Sequence, residues 1–157
     1  MRKTVLITGG AGFIGSHFTE YLLARYPDYE VRVLDALTYA GRRENLAAVE
    51  GDPRFTFIHG DVRDKQAVRE AMQGAHYVVH FAAETHVDRS ILDPDAFITT
   101  DVYGSFVMLE TARQVGVERF VHVSTDEVYG AIEQGAFTEQ SPLRPSSPYA
   151  ASKAGAD

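Results

Sequence analysis

Apolar positions along the chain fall into short continuous runs, each followed by a stretch with helical spacing. Val5-Leu6-Ile7 runs into Gly9-Gly10, and a helical pattern follows from Phe13 to Arg25. Val31-Arg32-Val33-Leu34 ends in Asp35, and a loop and short helix continue through Leu46-Ala47-Ala48. Phe55-Thr56-Phe57-Ile58 ends near Gly60-Asp61, where Asp64 is placed to cap a helix reaching about Met72. Tyr77-Val78-Val79-His80-Phe81 has the unbroken apolar character of a strand buried on both faces. A long helix is expected from about Asp95 to Val115, and a fifth strand from Arg119 to Val123. A loop holding Pro142, Pro145 and Pro148 then leads into a last helix that begins near Pro148. Strands and helices in alternation imply a parallel sheet covered by helices. Right-handed crossovers place the strands in the order 3-2-1-4-5, a Rossmann-type doubly wound α/β fold. No repeat, low-complexity segment or linker interrupts the pattern.

Composition narrows the function classes. A length of 157 residues suits one domain. The net charge of −7 argues against a general nucleic-acid surface, which needs clustered Lys and Arg. Absence of cysteine excludes disulfides, thiol nucleophiles and thiolate zinc sites, and suits a reducing cytoplasm. After Met1-Arg2-Lys3 the apolar run from Thr4 to Thr8 is too short for a signal-peptide core or a membrane span. The expectation is a cytoplasmic protein without membrane or nucleic-acid partners.

Gly9, Gly12 and Gly15 form G-x-x-G-x-x-G at the first strand-to-helix turn. Glycines there let the turn close and let backbone approach a pyrophosphate, while the helix start offers free N–H groups. Alone the pattern is also met in plain glycine-rich turns. Asp35 strengthens it, because it ends the second strand about 20 residues further on. A carboxylate there bonds the ribose hydroxyls of NAD and repels the 2′-phosphate of NADP. It outweighs the basic pair Arg42-Arg43. Asp61, at the end of the third strand, is either an acceptor for the adenine amino group or an ordinary turn residue before Asp64.

Tyr149 and Lys153 stand at i and i+4, on one face of a helix, with Ser147 at the N-cap and Pro148 at the first helical position. A free tyrosine, with a pKa of about 10, is no base at neutral pH. A neighbouring ammonium and a positive nicotinamide both favour its phenolate. Taken alone, the pair is equally a feature of a helix surface. Ser124-Thr125-Asp126-Glu127 adds a hydroxyl and two carboxyl groups just past the fifth strand, either a solvated acidic turn or an acid–base pair.

With those residues in view, the chain resembles the N-terminal part of an extended short-chain dehydrogenase/reductase, and within that group the dTDP-glucose 4,6-dehydratase family. The motifs that carry the resemblance span the whole chain. They are Gly9-Gly-Ala-Gly-Phe-Ile-Gly-Ser16, Leu37-Thr-Tyr-Ala-Gly41, Phe81-Ala-Ala-Glu-Thr-His-Val-Asp-Arg-Ser90, Ser124-Thr-Asp-Glu-Val-Tyr-Gly130 and Tyr149-Ala-Ala-Ser-Lys153. The Thr125-Asp126-Glu127 triplet and His86-Val-Asp-Arg-Ser90 are the specific ones; related epimerases and decarboxylases usually lack the Asp-Glu pair.

The resemblance implies NAD held by Gly9, Gly12, Phe13, Ile14, Gly15, Asp35, Leu37, Thr38, Asp61, Val62, Phe81, Ala82, Ala83, Thr100, Tyr149 and Lys153. It implies a nucleotide-sugar substrate held by Thr85 and Thr125, with Thr125, Asp126, Glu127, Tyr149 and Lys153 as catalytic residues. It also implies a homodimer for the full-length form. Two departures stand out. Asp101 takes the place where the group usually has Asn, and the chain stops at Asp157, just beyond Lys153. Residues 1–157 are therefore expected to be an incomplete NAD-binding Rossmann domain, cut after the start of the helix carrying Tyr149 and Lys153, with no C-terminal sugar-nucleotide domain and no turnover by themselves.

In this reading Tyr149 removes the C4 hydroxyl proton of a hexose while hydride leaves that carbon. The resulting ketone acidifies C5. Glu127 removes the C5 proton and Asp126, protonated, donates to the departing C6 hydroxyl, a division of labour that needs two carboxyl groups in different protonation states. Thr125 orients the sugar at its C4 oxygen. Among the six histidines none has ligand spacing, so no metal is expected. His80 and His122 lie in strand patterns as core residues, and His86 has no assigned role. The competing readings are a nucleotide-sugar 4-epimerase or decarboxylase, and a non-catalytic nucleotide-binding remnant.

Overall fold

The structure is a computed structural model and describes residues 2–157. The chain divides into two compact units: residues up to Ala82 with Phe106–Val123, and Ala83–Ser105 with Ser124–Asp157.

The first unit is built on five parallel strands, β1 (Lys3–Thr8), β2 (Tyr29–Asp35), β3 (Phe55–His59), β4 (Tyr77–His80) and β5 (Arg119–His122). Their order is β3-β2-β1-β4-β5, as the alternation of elements predicts. Side chains alternate across the sheet with a period of two. Val5, Ile7, Val31 and Val33 therefore share one face and pack with Leu22 and Leu23 of α1 (Phe13–Arg25). Leu6, Leu34 and Val78 share the other, against Val68 and Met72 of α2 (Lys65–Met72) and Val107, Met108 and Ala112 of α5 (Gly104–Val115). Burial on both faces explains why β1 and β2 read as continuous apolar runs. Asp64 caps α2, its side chain accepting from the N–H groups of Gln66 at 2.8 Å and Ala67 at 3.3 Å.

The second unit holds α3 (Val87–Leu92), α4 (Pro94–Phe97), a π-helical stretch (Ile98–Tyr103) that leads into α5, a 3-10 turn (Asp126–Tyr129) and α6 (Pro148–Ala156). Its sequence expectations need more correction. The single helix expected from about Asp95 to Val115 starts at Pro94 and widens to π geometry over Ile98–Tyr103. Apolar spacing is too coarse to separate a 3.6-residue turn from a slightly wider one. No helix was expected at α3, which has only six residues and exposes Ile91 and Leu92, so it lacks an amphipathic signal.

In the first unit the short helix expected through Ala48 is a 3-10 turn at Arg43–Leu46. β2 begins at Tyr29 because Tyr29 and Glu30 pair with Lys3 and Thr4. β4 ends at His80 rather than Phe81 and β5 at His122 rather than Val123. β4 also buries Val78 and His80 more than Tyr77 and Val79, so it is not equally covered on both faces. Among the described residues no helix is long and apolar enough to cross a membrane.

Candidate active site

The nucleotide-binding candidates of the first unit gather at the C-terminal ends of β1, β2 and β4. Gly9 has φ 69°, and a Cβ there would lie 2.6 Å from the Ala82 nitrogen and 2.9 Å from the Phe81 carbonyl carbon. Gly9 thus lets the loop after β1 lie against the loop after β4. A Cβ on Gly15 would strike the Gly9 carbonyl oxygen and lie 2.8 Å from the Gly10 Cα, so Gly15 seats α1 on that loop. Gly12 differs: its Cβ would meet only the Gly9 carbonyl oxygen, at 3.2 Å.

Gly12 is the N-cap of α1, with no side-chain cap and no acidic residue in the first turn. The first helical bond runs from Ser16 N–H to the Gly12 carbonyl at 3.0 Å. The N–H groups of Phe13, Ile14 and Gly15 therefore have no intrahelical acceptor, and the Phe13 and Ile14 side chains are exposed beside them. A helix start of this kind is suited to an anion.

Asp35 is buried at the end of β2, and both its oxygens accept from backbone: Oδ2 from Ala11 N–H at 2.9 Å, Oδ1 from Leu37 N–H at 2.8 Å. It ties the glycine loop to the turn after β2. A carboxylate offers about four lone-pair sites, so acceptor capacity remains. Leu37 has φ 50°, the one non-glycine residue with positive φ among those described. Such backbone concentrates at ligand clamps. Thr38 beside it is exposed.

Other candidates are already engaged. Arg43 pairs with Glu50 at 2.7 Å and stacks 4.6 Å from the centre of the Phe57 ring. Asp61 is bound by Arg63, with Nη2 2.6 Å from Oδ2, and that guanidinium helps hold its carboxyl below the usual range against a larger opposing push from burial. Val62 points into the core, which leaves its backbone for any ligand. Behind the site, the Thr8 hydroxyl lies 2.6 Å from His80 Nδ1 and accepts from Ala82 N–H at 3.3 Å. His80 is thus a bonded core residue; the half-buried His122 ring lies 5.3 Å from it.

The second unit brings together Thr125, Asp126, Glu127, Tyr149 and Lys153. Ser147 caps α6 by accepting from Ala150 N–H at 3.0 Å, and Pro148 occupies its first turn, as the sequence predicts. Tyr149 is half-buried, its ring edge-on to Phe97 at 6.3 Å. Lys153 is 4% exposed. Burial lowers the Lys153 ammonium below its ordinary value, and Asp101 and Asp157 oppose that. Burial raises the Tyr149 phenol; a hydrogen bond with Thr125 pulls it back, and Glu127, Asp101 and Asp126 push it further up. Three carboxyl groups thus act on the phenol, whereas the expected support for a phenolate came from the lysine together with a positive nicotinamide. Thr125 also accepts from Glu127 N–H and donates to Asp126 Oδ1, both at 3.3 Å. The Asp126 and Glu127 side chains are exposed. Ala83 and Thr100 are half-buried and Thr85 exposed.

Sequence reasoning gave no role to Ser152 or Glu84. Both surround Asp101, whose contacts include Ser152 Oγ at 2.6 Å and Glu84 N–H at 2.8 Å. The only signal was Asp101 itself, which stands where the resembling group usually has Asn.

A glycine turn at the first crossover, an acid closing β2 and a Tyr–Lys helix on this strand order are the plan of the extended short-chain dehydrogenase/reductases. More narrowly, the chain belongs to the GDP-mannose 4,6 dehydratase family, whose model matches residues 6–157. It is 54% identical to the dTDP-glucose 4,6-dehydratase of Streptomyces griseus over 159 aligned positions, covering 100% of this chain and 48% of that protein. Among solved structures it is similar to the dTDP-glucose 4,6-dehydratase of Streptomyces venezuelae with NAD and TYD bound, with TM-score 0.94, 58% identity, and coverage of 98% of this chain and 49% of that one. The UDP-glucose 4-epimerase of Thermus thermophilus in complex with NAD matches with TM-score 0.84, 42% identity, and coverage of 98% and 48%. The chain spans about half the length of the curated relatives it matches.

Proposed function

We propose that the protein carrying this chain is an NAD-dependent lyase that dehydrates a nucleotide-linked hexose, dTDP-glucose, to dTDP-4-keto-6-deoxyglucose. The observation that carries the reading is the clustering of Thr125, Asp126 and Glu127 around the Tyr149 phenol in one unit. The residues of the first unit fit NAD: the unpaired helix start after Gly12 suits its pyrophosphate, and the acceptor-only Asp35 suits a ribose diol. NAD, when bound, would supply a reversible hydride acceptor and a positive charge that favours the phenolate.

Tyr149 takes the proton of the C4 hydroxyl, and Thr125 holds the C4 oxygen. Lys153, through its ammonium, would hold the nicotinamide ribose. Glu127 takes the C5 proton, now acidic beside a ketone, and Asp126 gives a proton to the C6 hydroxyl, which leaves as water; when C6 is reduced Glu127 returns a proton to C5, and the proton taken by Tyr149 offsets the one given by Asp126. Oxidation at C4 and reduction at C6 cancel, so the net change is loss of one water. Exposure leaves Asp126 and Glu127 open to substrate.

The residues that read the nucleotide base are assigned to the part of the relatives that lies beyond the match. Residues 1–157 then act as the NAD-binding portion and do not turn over alone. The epimerase similarity supports a second reading, inversion at C4 without elimination. Product analysis of the complete reading frame's product with dTDP-glucose separates them. A 4-keto-6-deoxy sugar with no net NADH is expected; a 4-epimer that retains its C6 hydroxyl would overturn the assignment.

A further inference from the structure

Asp101 lies in the π-helical stretch of the second unit and is 1% exposed. Its Oδ1 accepts from Glu84 N–H at 2.8 Å, and its Oδ2 lies 2.6 Å from Ser152 Oγ. The fully buried Ser152 hydroxyl also lies 2.8 Å from the carbonyl oxygen of Tyr149. A serine hydroxyl has one proton to donate and two lone pairs to accept with, whereas a carbonyl only accepts. If Asp101 is ionised, Ser152 faces two acceptors with one proton, and one short contact is left without a hydrogen between its oxygens. If Asp101 carries a proton, it donates to Ser152, Ser152 donates to the Tyr149 carbonyl, and every short contact is a hydrogen bond.

The charges around Asp101 bear on the choice. Glu84 faces it from the loop before α3, and Lys153 and the Tyr149 phenol face it from α6. Asp88 and Arg89 on α3, Asp95 on α4, and Asp126 and Glu127 in the 3-10 turn are exposed to solvent. Burial is the largest influence and raises the Asp101 carboxyl above its ordinary range, with Glu84 adding to it; Ser152, the Glu84 N–H and Lys153 oppose.

We propose that Asp101 is a positioning residue that works as a neutral carboxyl, its proton setting the direction of a buried hydrogen-bond chain from Asp101 through Ser152 to the Tyr149 carbonyl. The chain closes on the first turn of α6, between Tyr149 and Lys153. Loss of the proton turns the Ser152 hydroxyl round and frees the Tyr149 carbonyl from it. The helix carrying both residues is thereby tied to the π-helical stretch in one protonation state more firmly than in the other. The inference rests on the proposed function only for its catalytic consequence, since the chain itself is a matter of geometry.

The test compares the full chain with Asp101→Asn, whose amide nitrogen donates to Ser152 permanently, and with Ser152→Ala. The folded state retains a proton that the unfolded chain loses above 3.8. The contribution of that proton to stability is full below that pH and is lost as pH rises through the folded value. In urea titrations, the folding constant of Asp101→Asn relative to wild type should therefore climb with pH, by up to tenfold per unit, and level off above the folded value. In the Ser152→Ala background the climb should shrink. A ratio that does not move with pH, or that falls as pH rises, would overturn the proposal. Carbon-13 NMR of the labelled Asp101 carboxyl in wild type gives an independent reading: titration in or below the ordinary Asp range contradicts it, even if a variant fails to fold. Neither readout uses substrate, so the proposal and the dehydratase assignment can fail separately.

Discussion

Gly9 and Gly12 belong to one motif but meet different neighbours. An alanine at Gly9 would press on the backbone of Phe81 and Ala82 and would have to hold φ 69°. We expect Gly9→Ala to cost more than about 2 kcal/mol, the range for strained backbone added to overpacking. An alanine at Gly12 meets one carbonyl oxygen at 3.2 Å. Gly12→Ala should fold nearly as well as wild type yet bind NAD weakly, because the new methyl stands where a pyrophosphate must approach. Urea unfolding and calorimetric titration of both variants check the contrast. Asp35→Ala should narrow the preference for NAD⁺ over NADP⁺, and leaving the buried Ala11 N–H without its acceptor should cost about 1–3 kcal/mol. Tighter binding of NADP⁺ by the wild type would contradict the role given to Asp35. Both groups were legible in the sequence because their spacing is set by local turns. The surroundings of Tyr149 were legible only in part: Asp126 and Glu127 were expected beside it, but Asp101 reaches it through the fold, and together with burial the three raise the phenol. In the chain alone, the tyrosine absorbance lost in Tyr149→Phe should be one that ionises above pH 10.0. A phenolate already present at neutral pH would show that this account of its surroundings is wrong.

Among the elements, α6 depends most on its cap. It spans nine residues, too short to be stable in isolation. Ser147 satisfies the Ala150 N–H, so Ser147→Ala should cost about 1 kcal/mol and speed amide exchange along Ala150–Lys153. Unchanged exchange would mean that packing, not capping, holds the helix. The cap and Pro148 were readable because the residues concerned are adjacent in sequence. So were α1 and α2, whose bounds match their apolar spacing, and all five strands of the sheet. What the pattern did not carry was α3, where exposed Ile91 and Leu92 blur any periodicity, and the π widening at Ile98–Tyr103. That widening belongs with contacts made by Asp101 to residues 17 and 51 positions away, beyond any local pattern.

At the scale of the molecule, β5 is an edge of the sheet, and Val121 on it is 45% exposed. An apolar edge invites pairing with another chain. We expect residues 1–157 to self-associate at micromolar concentration while still binding NAD, since the glycine turn and Asp35 lie within the first unit. Sedimentation in the presence and absence of NAD tests this; a monomer with full dehydratase activity would contradict both the edge argument and the assignment of turnover to a longer protein. The central claim is that Glu127 removes the C5 proton after C4 is oxidised. Its most direct measurement is the reaction of dTDP-glucose in deuterated water with the product of the complete reading frame, wild type and Glu127→Gln. Wild type should place deuterium at C5 of the 4-keto-6-deoxy product. Glu127→Gln should still oxidise C4 and accumulate NADH, with C5 exchange and elimination slowed about 10²–10⁴-fold, the usual worth of a positioned base. Exchange and elimination at the wild-type rate in that variant would contradict the account.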